Sequence, residues 1–230
     1  MLTYDKFLDE LSSFVDPDFA TFQRRLIDTK QTILGVRTPV MRKLAKKYQR
    51  EWKTLFAFPD EFYEVTFIKL SALSLRDYET LVKNVGDAVL LMDNWATCDC
   101  FRTKTIEKHK REFLSVLETI FVRGGEFDER YVFVTLLTYY VEENYADVIT
   151  SYIRRANTQR YYVHMAVAWL VAELLVKEYE IGLKILRSGM LDGKTHDKAI
   201  QKAKESFRVS KERKEFLNSL KIINQNKAEY

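Results

Sequence analysis

Arg130-Tyr131-Val132-Phe133-Val134-Thr135 decides the fold class. Read for side-chain type alone, its aromatic and β-branched residues suit a strand. The segment that carries them, 129–140, is longer than an ordinary strand and lies between stretches of helical period. It is therefore expected to be a buried helix, which makes the chain all-α.

The neighbours support that reading in both directions. Upstream, 112–122 has helical period and stops at Gly124-Gly125, a pair that breaks a helix. Downstream, 145–155, 160–177, 181–187, 194–208 and 211–220 repeat the pattern. Arg160-Tyr161-Tyr162-Val163-His164-Met165-Ala166-Val167-Ala168-Trp169 is apolar almost all round, the mark of a helix buried on every side. Trp169 reads there as core, and His164 as a satisfied core or boundary histidine. Glu173, one turn further, is unusual in such a setting: a buried paired acid, a surface residue and a site residue all remain open.

In the N-terminal half, Phe7, Leu8, Leu11 and Phe14 form one apolar stripe over 4–14. Asp16-Pro17-Asp18 is a helix start, with Asp16 as cap and proline in the first turn. Thr38-Pro39 repeats the device, with Thr38 as the expected cap of a basic helix over 40–48. Phe58-Pro59-Asp60 opens a helix over 61–73, another covers 76–91, and Trp95 begins the next. Short polar turns join these helices, with no low-complexity linker, so 1–230 is expected to be a single domain. Short connections imply antiparallel neighbours. An α-solenoid of stacked pairs and a compact non-repetitive α-domain both fit, since no sequence repeat is visible.

Composition narrows the classes. With 47% hydrophobic and 30% charged residues the chain folds rather than remaining disordered, and only 7 Gly and 3 Pro disfavour turn-rich β architectures. The net charge of +4 permits an anionic partner without requiring one. Cys98 and Cys100 alone make neither a disulfide framework nor a zinc site, and His109, His164 and His196 are far apart, so no metal is expected. The opening Met1-Leu2-Thr3-Tyr4-Asp5-Lys6 lacks the character of a signal peptide, and no long uncharged apolar stretch suggests a membrane span. A cytoplasmic protein is expected.

Chemistry concentrates at Asp93-Asn94-Trp95-Ala96-Thr97-Cys98-Asp99. In a helix Trp95 and Asp99 share one face, and Arg102 is expected to continue it. An indole beside a carboxylate attracts a cationic or cation-developing ligand. The alternative is a core Trp with a surface Asp. Basic residues cluster at Arg37, Arg42, Lys43 and Lys46, where Arg42, Lys46 and Arg50 fall on one stripe, and again at Lys194, Lys198 and Lys202, followed by Lys204 and Arg208. Two such stripes suit a long polyanion, although either could be a solvated face.

Several pieces in order resemble the bacterial DNA alkylation repair protein family of HEAT-like repeat proteins. They are Ile33-Leu34-Gly35-Val36-Arg37-Thr38-Pro39 with Arg42-Lys43-Leu44-Ala45-Lys46, Asp93-Asn94-Trp95 with Asp99, Arg130 at the start of its helix, Met165-Ala166-Val167-Ala168-Trp169, and Lys198-Ala199-Ile200-Gln201-Lys202 with Phe207-Arg208-Val209-Ser210. The resemblance implies an α-solenoid of HEAT-like antiparallel helix pairs whose concave basic face holds double-stranded DNA. It implies excision of N3- and N7-alkylated purines by cleavage of the N-glycosidic bond, without deep base flipping. Asp99 would stabilise the oxocarbenium sugar and position water, Trp95 and Trp169 would pack on the deoxyribose, and Arg130 would hold a phosphate. It implies no cofactor, and DNA binding needs only a monomer. Asn94 departs from the Trp-Trp pair of some active members, and the first 34 residues are only weakly similar. A non-catalytic binder of bent, branched or damaged DNA is the alternative, followed by a protein–protein scaffold.

Overall fold

The computed structural model describes residues 2–222. Those residues hold fourteen α-helices, three short 3₁₀ turns and no strand; an isolated parallel bridge joins Thr32 to Phe62. The chain is all-α, as the reading of 129–140 requires. It divides into two compact units between Val116 and Leu117.

The first unit contains α1 (Tyr4–Ser12), α2 (Pro17–Arg24), α3 (Thr38–Lys47), α4 (Trp52–Phe56), α5 (Tyr63–Ser74), α6 (Tyr78–Leu90) and α7 (Trp95–Cys100). Helix α8 (Lys110–Phe121) crosses the division. The second unit continues with α9 (Glu126–Tyr139), α10 (Ala146–Arg155), α11 (Tyr161–Lys177), α12 (Tyr179–Arg187), α13 (Gly193–Glu205) and α14 (Lys211–Ser219).

Helix α5 is the centre of the first unit, packed against α3, α4, α6 and α7. Every residue from Tyr63 to Leu70 is buried, including Glu64, Thr66 and Lys69. Buried polar groups must find partners. Lys69 Nζ donates to the Phe58 carbonyl and, at 2.9 Å, to Asp60. Glu64 accepts the backbone N–H groups of Leu34, Gly35 and Val36. The bridge at Thr32 keeps Phe62 extended, through Thr32 N–H to Glu61 O at 2.9 Å and Tyr63 N–H to Thr32 O at 3.0 Å. That delays the helix from the expected 61 to Tyr63.

Helix α11 is the matching centre of the second unit, packed on α9, α12 and α13. Helix α9 is buried from Asp128 to Leu137, which explains its strand-like composition: a helix covered all round carries apolar residues without a polar face. Its ends are specified locally. Gly124, at φ +72°, follows α8 in the left-handed conformation that glycine adopts most readily, and Asp128 accepts the Gly125 N–H at 3.0 Å to cap α9. Glu126, Asp128 and Glu129 in the first turn match the helix dipole.

Three local expectations are corrected. Thr38 is the first residue of α3, not its cap: the Arg37 carbonyl accepts from Val40 and Met41, which makes Arg37 the cap residue. Helix α3 ends at Lys47, so Arg50 lies in the 3₁₀ turn Gln49–Glu51, off the basic stripe. Helix α13 ends at Glu205 because Ser206 is extended, which takes Arg208 off the second stripe. The short α4 was not legible in the periodicity.

His164 is the satisfied core histidine expected. Its Nδ1 lies 2.9 Å from Thr195 Oγ1, and that hydroxyl donates to Asp192 Oδ2 at 2.7 Å. The hydroxyl proton being committed, His164 donates from Nδ1–H, linking α11 to the start of α13. Burial, with Lys194 adding repulsion, lowers the His164 pKa, which Asp192 opposes. The unfolded chain then binds the proton more readily, so stability falls as pH drops below the unfolded value of about 6.5. The urea midpoint of the second unit should decrease between about pH 7 and pH 5.5, and His164→Gln should flatten that slope. Equal slopes in the two proteins would refute the assignment.

Candidate functional site

The segment around Trp95 is built by its own polar residues. Buried Asn94 caps α7, its Oδ1 accepting the Thr97 N–H at 3.0 Å. Its Nδ2 donates to Asp93 Oδ1 at 2.7 Å. Asp93 accepts the Thr29 hydroxyl at 2.7 Å and the Lys30 N–H at 2.9 Å. Trp95 Nε1 donates to the Leu26 carbonyl at 2.8 Å. The loop between α2 and α3 is thereby latched to the start of α7. Asn94, which departs from the Trp-Trp pattern, is the cap that this latch needs.

Trp95 is 38% exposed, so it is not a core residue. Asp99, one helical turn on, is half-buried. Arg102 does not continue the face: α7 stops at Cys100, and Arg102 Nε turns back to the Asp99 carbonyl at 3.0 Å. Arg42 of α3 hydrogen-bonds the Cys100 thiol, opposing the burial that pushes the thiol pKa up. Arg42 therefore reaches the end of α7. Arg42, Lys43 and Lys46 are all exposed on α3. Arg37 is engaged elsewhere, paired with Asp16 at 2.9 Å and stacked 3.9 Å from the Phe19 ring centre.

Among the second unit's candidates, Trp169 is half-buried on α11 and Lys194 is exposed, while Lys198 and Lys202 are partly covered. Lys202 pairs with Glu205 at 2.9 Å. Arg130 lies a turn inside α9, not at its start, and is only 5% exposed. Its Nη1 donates to the Tyr162 carbonyl at 2.9 Å, and Glu126 accepts the Tyr162 N–H at 2.7 Å, so both residues brace the beginning of α11. Arg208 closes a two-pronged pair on Glu173, at 2.7 and 3.1 Å, with Lys177 at 3.2 Å. Burial raises the Glu173 pKa, but the hydrogen bonds from Arg208 and Lys177 prevail and hold it low. Glu173 is thus a paired acid.

The latch residues Thr29 and Asp93 and an aromatic pocket beside Trp95 were missed in the sequence. Asp93 belongs to the Asp93–Asp99 stretch, but nothing in its spacing identifies Thr29 as a partner. Among the described residues no group of three or more His, Cys, Asp or Glu could hold a metal ion. No helix among them is long and apolar enough to cross a membrane.

No curated protein matches this chain. The family model of the DNA alkylation repair enzyme matches residues 7–178, a span that includes Trp95, Asp99, Arg130 and Trp169 and excludes the basic residues of α13. A match over most of the chain places it in the DNA alkylation repair enzyme family, and its role lies in DNA alkylation repair.

Proposed function

We propose that the chain hydrolyses the N-glycosidic bond of N3- and N7-alkylated purines in duplex DNA, without drawing the lesion into a deep pocket. The observation that carries this reading is the pairing on α7 of a solvent-facing indole, Trp95, with the carboxylate of Asp99 one turn away. An alkylated purine already bears positive charge and leaves as a neutral base, so little acid catalysis is needed. As the bond from C1′ to nitrogen breaks, positive charge moves onto the sugar. Asp99 lowers the energy of that cation and orients the water that attacks C1′, while Trp95 packs against the deoxyribose. The released proton passes to solvent.

Arg42, Lys43 and Lys46 take backbone phosphates, supported by their exposure on α3, from which Arg42 reaches the end of α7. In the second unit, Trp169 serves the nucleotide backbone, Lys194, Lys198 and Lys202 the flanking phosphates, and Arg130 acts through the start of α11. Stacking of successive helices within each unit as HEAT-like antiparallel pairs belongs to the same proposal. The reading needs no cofactor and one copy of the chain.

Two measurements test it. Base release from methylated duplex tests the chemistry. Salt titration tests the interface: log K for duplex DNA should fall linearly with log salt, and Lys43→Ala or Lys46→Ala should each reduce the slope by about 0.9. A salt-independent affinity would rule out the DNA interface.

A further inference from the structure

A cavity of about 160 Å³ lies in the first unit beside Trp95, between α2, α5 and α7. Its walls are largely aromatic, with Phe19 and Phe22 from α2, Phe67 from α5 and Trp95 from α7, and Thr38 and Cys100 add polar groups. Gln23 also lines it and is 6% exposed, yet its Oε1 has no hydrogen-bond partner. A buried acceptor left unpaired is costly, and a glutamine at this position without a partner needs a reason. An aliphatic occupant would leave the amide unsatisfied. A planar nitrogen heterocycle meets both demands, since its faces cover the rings and its edge offers an N–H to Oε1. A cavity near 150 Å³ accepts a benzene-sized ring.

We propose that this cavity binds one purine base, whose edge presents a donor beside an acceptor to the Gln23 amide. Glutamine pairs with adenine in this two-pronged way, through the amino group and a ring nitrogen. The base has two possible sources: an extrahelical base of bound DNA, or the free base released by hydrolysis. The inference rests on the proposed DNA reading for where the base comes from, but the binding itself does not depend on catalysis.

Binding of free adenine and of 3-methyladenine to the full chain is measured by calorimetry, with indene as a ring of similar shape lacking the N–H. Adenine should bind saturably. Gln23→Leu should weaken it about tenfold while raising the thermal midpoint, because an unpaired buried amide is replaced by a hydrocarbon. Phe22→Ala, at a position 55% exposed, should weaken it without unfolding the unit. No saturable adenine binding, or equal binding by parent and Gln23→Leu, overturns the proposal. A duplex carrying 2-aminopurine opposite an abasic site separates the sources. Quenching by the parent and not by Phe22→Ala assigns the cavity to an extrahelical base; unchanged fluorescence with adenine binding retained assigns it to the free base. Base release from methylated duplex is scored separately, so failure of the cavity and failure of the glycosidic chemistry are told apart.

Discussion

Asp99→Asn should reduce release of 3-methyladenine and 7-methylguanine from methylated duplex on the order of 10²–10³-fold, with duplex affinity unchanged or higher. The substitution keeps size and shape and removes only the charge. Asp99 sits half-buried in the last turn of α7. The charge matters because the sugar becomes cationic only as the bond breaks. A carboxylate about 4 Å away at an effective dielectric near 20 gains about 4 kcal/mol, which corresponds to about 10³ in rate. In the ground state the same carboxylate faces polyanionic DNA, so its neutralisation should not weaken binding. Release is followed by chromatography of free bases under single-turnover conditions. Equal release by parent and variant would remove Asp99 from the mechanism. No release by the parent above the spontaneous rate, with salt-sensitive binding intact, would leave a DNA-binding member of the family without the chemistry.

The helical order of this chain was legible because its signals are local. Asp16 caps α2, its carboxylate accepting the Phe19 N–H at 2.9 Å, as the Asp-Pro-Asp start requires. Helix α11 is buried along most of its surface, as its apolar run indicates, but not on every side: Tyr161, Met165, Trp169 and Glu173, four residues apart, form one stripe that is left partly or fully exposed. Boundaries failed where distant contacts override local preference. The Thr32–Phe62 bridge shifts α5, and the Arg37 carbonyl takes over the capping assigned to Thr38. The candidate site was legible in part for the same reason. Trp95 and Asp99 are one helical turn apart, so their spacing is enough. Arg102 leaves the shared face because the helix ends before it, and the contact of Arg130 has no local signal, since its partner, the Tyr162 carbonyl, lies 32 residues away. Gln23 and its cavity left no sequence signal: an unpaired amide becomes meaningful only once burial is known.

Glu64→Ala should cost the first unit about 3–5 kcal/mol, a large share of the stability of an ordinary domain. Glu64 is fully buried on α5, and its carboxylate accepts N–H groups from Leu34, Gly35 and Val36 at 3.1, 2.8 and 3.2 Å. Truncation would strand those donors in the core, and each buried donor left unpaired costs roughly 1–3 kcal/mol. Glu64→Gln keeps an acceptor oxygen and should cost less. The same loop explains the glycine in Ile33-Leu34-Gly35-Val36. Gly35 has φ +93°, and a Cβ there would lie 2.2 Å from the Asp16 carbonyl oxygen and 2.7 Å from the Ala20 nitrogen. Both neighbours are backbone at the start of α2, so they cannot move aside cheaply, and Gly35→Ala should destabilise the unit as severely as Glu64→Ala. Urea unfolding in a Trp169→Phe background isolates the first unit, since Trp52 and Trp95 are then the remaining indoles. A loss under about 1 kcal/mol for Glu64→Ala would mean that the three N–H groups find other partners. A larger loss would make this carboxylate the anchor of the loop that delivers α3 and its exposed Arg42, Lys43 and Lys46 to the site, linking a core acid to the proposed DNA surface.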